Sequence, residues 1–350
     1  METVSKPLLR TLSGEAVWPP PLWLMRQAGR YLPEYRQLRA NAADFIALCT
    51  TPALAKEVTL QPIRRYGFDG AILFSDILMI PWALGQGLAY REGEGPVLPP
   101  LRDAAALAAL RLERVATAIE PILQTVRLVR AALVEEGFPG CSLIGFAGAP
   151  FTVACYMVEG GGSRDFAETR LLAYTQPDLF DRLIALLVDA TVTYLSAQID
   201  AGAEVAMLFD TWAGILPPRQ FRRLVIEPTK AIVAALRQRF PHVPVIGFPR
   251  LAGIMIGEYC MATDVQGISL DTSMELALAA KALPLRVAVQ GNLDPLALVA
   301  GGSALGGAAD SILGAMKGRR FIFNLGHGIV PQTPPEHVAA LVEQVRGVGG

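Results

Sequence analysis

The chain has 350 residues, with 31 Lys and Arg against 32 Asp and Glu and a formal net charge of −1. So even a balance removes the electrostatic case for a nucleic-acid or anionic-membrane partner, and any basic site must be local. Hydrophobic residues make up 52% and charged residues 18%, which suits a large buried core and excludes a disordered chain.

The opening, "METVSKPLLRTLSGEAVWPP", has no apolar segment ending in a small-residue cleavage site, and no run of about twenty uninterrupted apolar residues follows it. The expectation is a soluble, cytoplasmic protein. Cys49, Cys141, Cys155 and Cys260 are scattered and form no C-x-x-C pair, so reduced, packed thiols are expected. Cys155 is the one to watch, because it adjoins a candidate site residue.

Short apolar runs then alternate with stretches of helical periodicity. The runs are "PLWLM", "DGAILF", "CSLIGFA", "EVAMLF", "VPVIGF", "QGISLD", "LRVAVQ" and "RFIFN". Helices are expected over 53–66, 112–136, 179–201, 218–239, 273–282, 295–316 and 335–345. Runs apolar on both faces and separated by helices indicate parallel strands covered on both sides, and eight of them suggest closure. The expected architecture is α/β: a single (β/α)8 TIM barrel over residues 1–350. "REGEGPVLPPLRD", after the second run, reads as a long surface loop. An open doubly wound sheet is the alternative, but neither "EGGG" (159–162) nor "AGGSALGG" (300–307) has dinucleotide-fingerprint or P-loop spacing.

In a barrel of this kind chemistry collects on the loops that leave the C-terminal ends of the strands. The first run is followed by Arg26-Gln27-Ala28-Gly29-Arg30, with Arg36 and Arg39 close behind. Arginine forks suit carboxylate or phosphate, so an acidic ligand competes here with a solvated helix face or an ion pair. Asp76 follows "AILFS" and precedes "ILMIP". A carboxylate between apolar neighbours must pair with a cation, as in a salt bridge to a first-loop arginine, or be kept for a task. Later loops carry Tyr156, Asp210-Thr211-Trp212, Asn292 and Asn324. His327, in the glycine-flanked "LGHG", follows the last strand, whereas His242 and His337 sit at structural positions. The absence of H-E-x-x-H, H-x-C, paired cysteines and G-x-S-x-G removes support from zinc and serine hydrolases.

Together these residues resemble uroporphyrinogen decarboxylase. "PLWLMRQAGRYLPEYR", "FSDILMIPWALG", "GFAGAPFTVACYMVEG", "FDTWAG", "GNLDP" and "FNLGHGI" occur in the family's order over nearly the whole chain. The resemblance implies a single barrel, a homodimer, no metal and no organic cofactor. It also implies conversion of four acetate side chains of uroporphyrinogen III to methyl groups. By position, Arg26, Gln27, Ala28, Gly29, Arg30 and Arg39 fall on substrate-holding positions, as do Asp76, Tyr156, Thr211 and His327. Asp76, Tyr156 and Arg26 fall on the catalytic ones. "FPRLAG" and "SLDTS" depart from the family pattern, with Arg250 a possible substitute for a basic contact. Zinc-dependent corrinoid methyltransferases share the general look but need an H-x-C pair that this chain lacks. A non-catalytic tetrapyrrole binder would need neither Asp76 nor His327.

Overall fold

The computed structural model describes residues 5–91 and 93–348. Seven parallel strands form one sheet in chain order: β1 (Gly70–Ile72), β4 (Ser142–Gly148), β5 (Val205–Asp210), β6 (Val245–Pro249), β7 (Gly267–Ser269), β8 (Ala288–Leu293) and β9 (Phe321–Leu325). All seven are buried along their length except at Phe209, which is half-buried, because helices cover the outer face and facing strands fill the inner one. Several helices open with proline, including Pro52–Tyr66, Pro150–Glu159, Pro177–Asp200 and Pro335–Gly347. The first helical position tolerates proline because its N–H would go unused there.

The eighth expected strand is not formed. Residues 21–25 make only an isolated parallel bridge, Leu22 to Phe323. The backbone explains why. Pro20 and Pro21 have no N–H, and of the next four donors only Trp23 N–H reaches a backbone carbonyl, Phe323 O at 3.4 Å, while the other three go to side chains. The Leu22 N–H goes to Asp69 Oδ2 (2.8 Å), that of Leu24 to Gln27 Oε1 (3.0 Å) and that of Met25 to Asn324 Oδ1 (2.9 Å). The segment still lies between the two ends of the sheet. The Phe323 N–H donates to Pro21 O (2.8 Å) and the Asp69 N–H to Leu22 O (2.9 Å). The sheet is therefore curled, with one short segment in reach of both edges.

A second correction concerns the stretch from Arg91 read as a surface loop, which together with the two residues before it forms more than a loop. It carries a hairpin, β2 (Ala89–Arg91) against β3 (Gly95–Val97). Three-residue strands are too short for alternation to show. The hairpin is fastened to the main body by a Val97–Gly161 bridge and by the Leu98 N–H donating to Gly160 O at 2.9 Å. The helix expected over 295–316 is two helices, Pro295–Ala300 and Gly302–Met316, parted by Gly301 at φ +67°. The 112–136 segment likewise breaks into a short 3₁₀ turn and one short helix, Val115–Ala118, before settling at Glu120–Glu135.

Helix Pro177–Asp200 is long and apolar enough to cross a membrane. Leu183, Leu187, Tyr194 and Leu195 on it are nevertheless buried in the hydrophobic cluster that runs through the molecule. That burial accounts for its composition. All four cysteines are free and buried, and burial pushes the Cys155 thiol well above its ordinary value. It is a packing residue rather than a nucleophile.

Candidate active site

The first loop starts under strain. Arg26 has φ +61°, the left-handed region that costs an ordinary residue about 1–2 kcal/mol. Two bonds hold it there: Met25 N–H to Asn324 Oδ1, and the Ile329 N–H to Met25 O at 2.9 Å. The Arg26 side chain is exposed and lies across Gly328, so closely that a Cβ built there would overlap it. The glycine after His327 thus makes room for an arginine from the other end of the chain.

Gln27 is fully buried and its side chain is engaged by the fold. It accepts from Leu24 N–H and donates to Gly70 O at 2.9 Å, while its carbonyl accepts from Tyr31 Oη at 2.8 Å. Ala28 and Gly29 continue the loop, half-buried, and Arg30 emerges exposed. Arg30, Tyr35, Arg36, Arg39, Ala40 and Pro331 line an open bay of about 490 Å³. Arg36 donates to the carbonyls of Arg30 (2.9 Å) and Tyr31 (3.0 Å), which fixes the bay's wall. Among the described residues none of Arg26, Arg30, Arg36 and Arg39 forms a salt bridge, although most other arginines do. That argues against the ion-pair explanation and, with Arg36 engaged on the two carbonyls, leaves Arg26, Arg30 and Arg39 without a carboxylate partner and suited to an external anion.

Asp76 lies half-buried where the chain leaves β1. Its Oδ1 accepts from Leu78 N–H at 2.8 Å, and it makes no salt bridge with a described residue. The structural explanation for this carboxylate is therefore not met. Burial raises its pKa, against the opposing pull of the Leu78 N–H, the Tyr90 hydroxyl and the Arg26 charge. The neighbouring Ser75 Oγ is 3.2 Å from Tyr194 Oη.

Tyr156 reaches the same region from helix Pro150–Glu159. Its ring packs against Phe166 (5.9 Å) and Trp212 (6.4 Å), and burial raises its pKa, with Asp76 adding to the effect. Thr211 is half-buried beside Asp210. Asp210 Oδ1 accepts from Thr152 Oγ1 at 2.5 Å, and Thr152 Oγ1 accepts from Trp212 N–H at 3.0 Å. This relay ties the start of the Tyr156 helix to the Thr211–Trp212 turn.

His327 is half-buried and its pKa falls to about 4 through burial and the charges of Arg26 and Arg250, with Asp271 opposing. It is a neutral imidazole at ordinary pH. Asp271 in turn accepts from Leu251 N–H (2.6 Å) and from Ser273 N–H (2.9 Å) and Oγ (2.5 Å).

Arg26, Asp76 and Tyr156 are thus close enough to perturb one another, and His327 joins them through Arg26. Arg30 and Arg39 line the bay together with Tyr35, whose ring meets Phe74 at 5.8 Å. Sequence reasoning missed Tyr90, which lies just ahead of the stretch read as a loop, named Arg250 only as a possible basic contact, and gave Asp271 no role. Among the described residues, no three His, Cys, Asp or Glu side chains are grouped as a metal site would require.

The family model for uroporphyrinogen decarboxylase matches residues 3–348. The chain belongs to the uroporphyrinogen decarboxylase family. Relatives of that name are 59% identical in Granulibacter bethesdensis, over 99% of this chain and 100% of the relative, and 59% identical in Gluconacetobacter diazotrophicus, with the same coverage. Among solved structures a methyltransferase from Methanosarcina mazei superposes with a TM-score of 0.76 at 20% identity, covering 99% of both chains. At that identity the likeness is one of fold alone. It places this decarboxylase family on an architecture shared with other chemistry.

Proposed function

We propose that the chain is a uroporphyrinogen decarboxylase that removes the four acetate carboxyl groups of uroporphyrinogen III, giving coproporphyrinogen III and four CO2 in tetrapyrrole biosynthesis. Family membership over nearly the full length supports the activity. The observation that carries the assignment of the site is Asp76, a carboxylate at the sheet's C-terminal end that meets no cation of its own.

Loss of CO2 from a pyrrole acetate leaves an electron pair that needs a sink. Protonation of the pyrrole at ring carbon supplies one, an iminium-like cation. In this reading Asp76 accepts from the pyrrole N–H groups at the macrocycle's centre and stabilises that cation by preorganised electrostatics. Arg26, Arg30 and Arg39 bind peripheral carboxylates and fix orientation. The Ala28–Gly29 backbone, Tyr156, Thr211 and neutral His327 complete the contacts, while Gln27 acts through the fold of its loop. No metal or organic cofactor is assigned a step. We further propose that residues 21–25 stand in for the missing strand and close a single-domain (β/α)8 barrel, and that the enzyme works in the cytoplasm as a homodimer.

Asp76→Asn tests the assignment. It keeps one acceptor oxygen for the Leu78 N–H and removes the charge, so kcat falls by about 10² to 10³-fold, the range for losing one preorganised group. Melting temperature stays within a few degrees of the parent, because no described cation loses a partner. Chromatography of oxidised porphyrin products from anaerobic assays, with and without chelator, reads the outcome. Normal turnover in a folded Asp76→Asn protein, or zinc rescue of a chelated, inactive enzyme, overturns it.

A further inference from the structure

The hairpin brings in a residue that the reaction as described does not use. Tyr90, at the centre of β2, is held by its ring against Phe45 at a centroid distance of 4.7 Å, edge to face, and Phe45 packs on Phe74 at 5.9 Å. Its hydroxyl oxygen is buried and completes no hydrogen bond. A buried phenol without a partner is costly and calls for a reason. The hairpin has little freedom to swing away, because Gly160 meets Leu98 O and Pro100 so closely that a Cβ there would clash, and a bridge and a hydrogen bond join the same segments. Gly160 caps the helix that carries Tyr156, so the elements bearing the two tyrosines that act on Asp76 are locked to each other. Asp76 Oδ1 is taken by Leu78 N–H, which leaves Oδ2 as the open acceptor of the carboxylate on which the Tyr90 hydroxyl acts.

We propose that Tyr90 is a positioning residue for Asp76, whose hydroxyl donates to the free carboxylate oxygen and keeps the carboxylate aimed into the site as the substrate's N–H groups engage it. The inference rests on the decarboxylase reading. The electrostatics agree: the Tyr90 hydroxyl favours the charged form of Asp76, and Asp76, after burial, raises Tyr90 far above its ordinary value, so the phenol stays a neutral donor. The other ionisable groups facing Asp76 are Arg26, Cys49, Tyr156 and Tyr194. Cys49, Tyr156 and Tyr194 are buried with raised pKa values and stay neutral; His327, with a pKa of about 4, also titrates on the acid side, but of the two only Asp76 feels the Tyr90 hydroxyl, so a shift of the acid limb when that hydroxyl is removed reports Asp76.

Tyr90→Phe removes only the hydroxyl, which completes no hydrogen bond of full geometry, and keeps the ring against Phe45, so the fold is retained. The expected result is a drop in kcat of about tenfold, the worth of one hydrogen bond to a charged group, with KM changed by less than about threefold. The acid limb of the kcat profile moves to higher pH, since Asp76 loses a group that favours its anion. In the Asp76→Asn background the same change alters residual turnover by less than about twofold, because the partner is gone. A Tyr90→Phe enzyme with parental kcat and acid limb, or an equal loss in both backgrounds, overturns the proposal. An inactive parent overturns the decarboxylase reading instead, so the two failures are distinct.

Discussion

Asp210 makes a stability prediction whose size follows from its surroundings. It is 2% exposed, Oδ1 accepts from Thr152 at 2.5 Å, and Oδ2 is buried with no partner. Burial raises its pKa from 3.8 to about 7. The folded protein therefore binds a proton that the unfolded chain releases near pH 4. Stability from this group is complete below pH 4 and is lost as pH rises through 7, and the gap corresponds to about 4 kcal/mol by pH 8. Asp210→Asn cannot ionise. Its amide keeps the acceptor for Thr152 but places N–H donors where Oδ2 finds no partner, at a cost of about 1–3 kcal/mol at every pH. The variant is expected to be less stable than the parent at pH 4.5 and more stable, by about 1–3 kcal/mol, at pH 8, the curves crossing between about pH 4.5 and 6. Urea unfolding of both proteins across that range measures the difference directly, and titrations common to both cancel. A difference that stays constant with pH, or a variant less stable throughout, would mean that Asp210 is charged in the folded protein and that the argument from burial fails.

Arg30→Ala should raise KM at least tenfold while unfolding free energy changes by less than about 0.5 kcal/mol, since no described carboxylate loses a partner; kinetics and urea titration check both. Gly328→Ala should weaken substrate binding without touching any charge, because the new methyl displaces the Arg26 side chain that lies across it; unchanged KM would show that Arg26 is not held in a binding pose. His327, with its pKa lowered to about 4, favours the neutral form in the fold. Its contribution is present above the unfolded value near 6.5 and is lost as pH falls toward 4. His327→Asn should therefore narrow the stability gap between pH 7 and pH 4.5, and urea titrations at the two pH values test it.

The seven strands of the sheet could be read from the chain because each belongs to a short apolar run covered on both faces, a property that needs no knowledge of neighbours. The candidate site was legible for the same reason: Arg26, Asp76, Tyr156, Thr211 and His327 are polar residues placed just after such runs or on the helix that follows one, in motifs that mark a family. The failures lie where partners come from far along the chain. Residues 21–25 have a strand's composition, but Asp69, Gln27 and Asn324 take the N–H groups a ladder would use. Gln27 looked available to a ligand until its side chain met Gly70 O. Tyr90 sits in a three-residue strand whose importance comes from Phe45, Gly160 and Asp76, residues up to 70 positions away. Local burial pattern and residue chemistry determined the elements and the site's inventory. Only the tertiary structure decided which side chains are consumed by the fold and which stay free for a ligand, because hydrogen-bond partners across the sheet are set by three-dimensional proximity and leave no periodic trace in the chain.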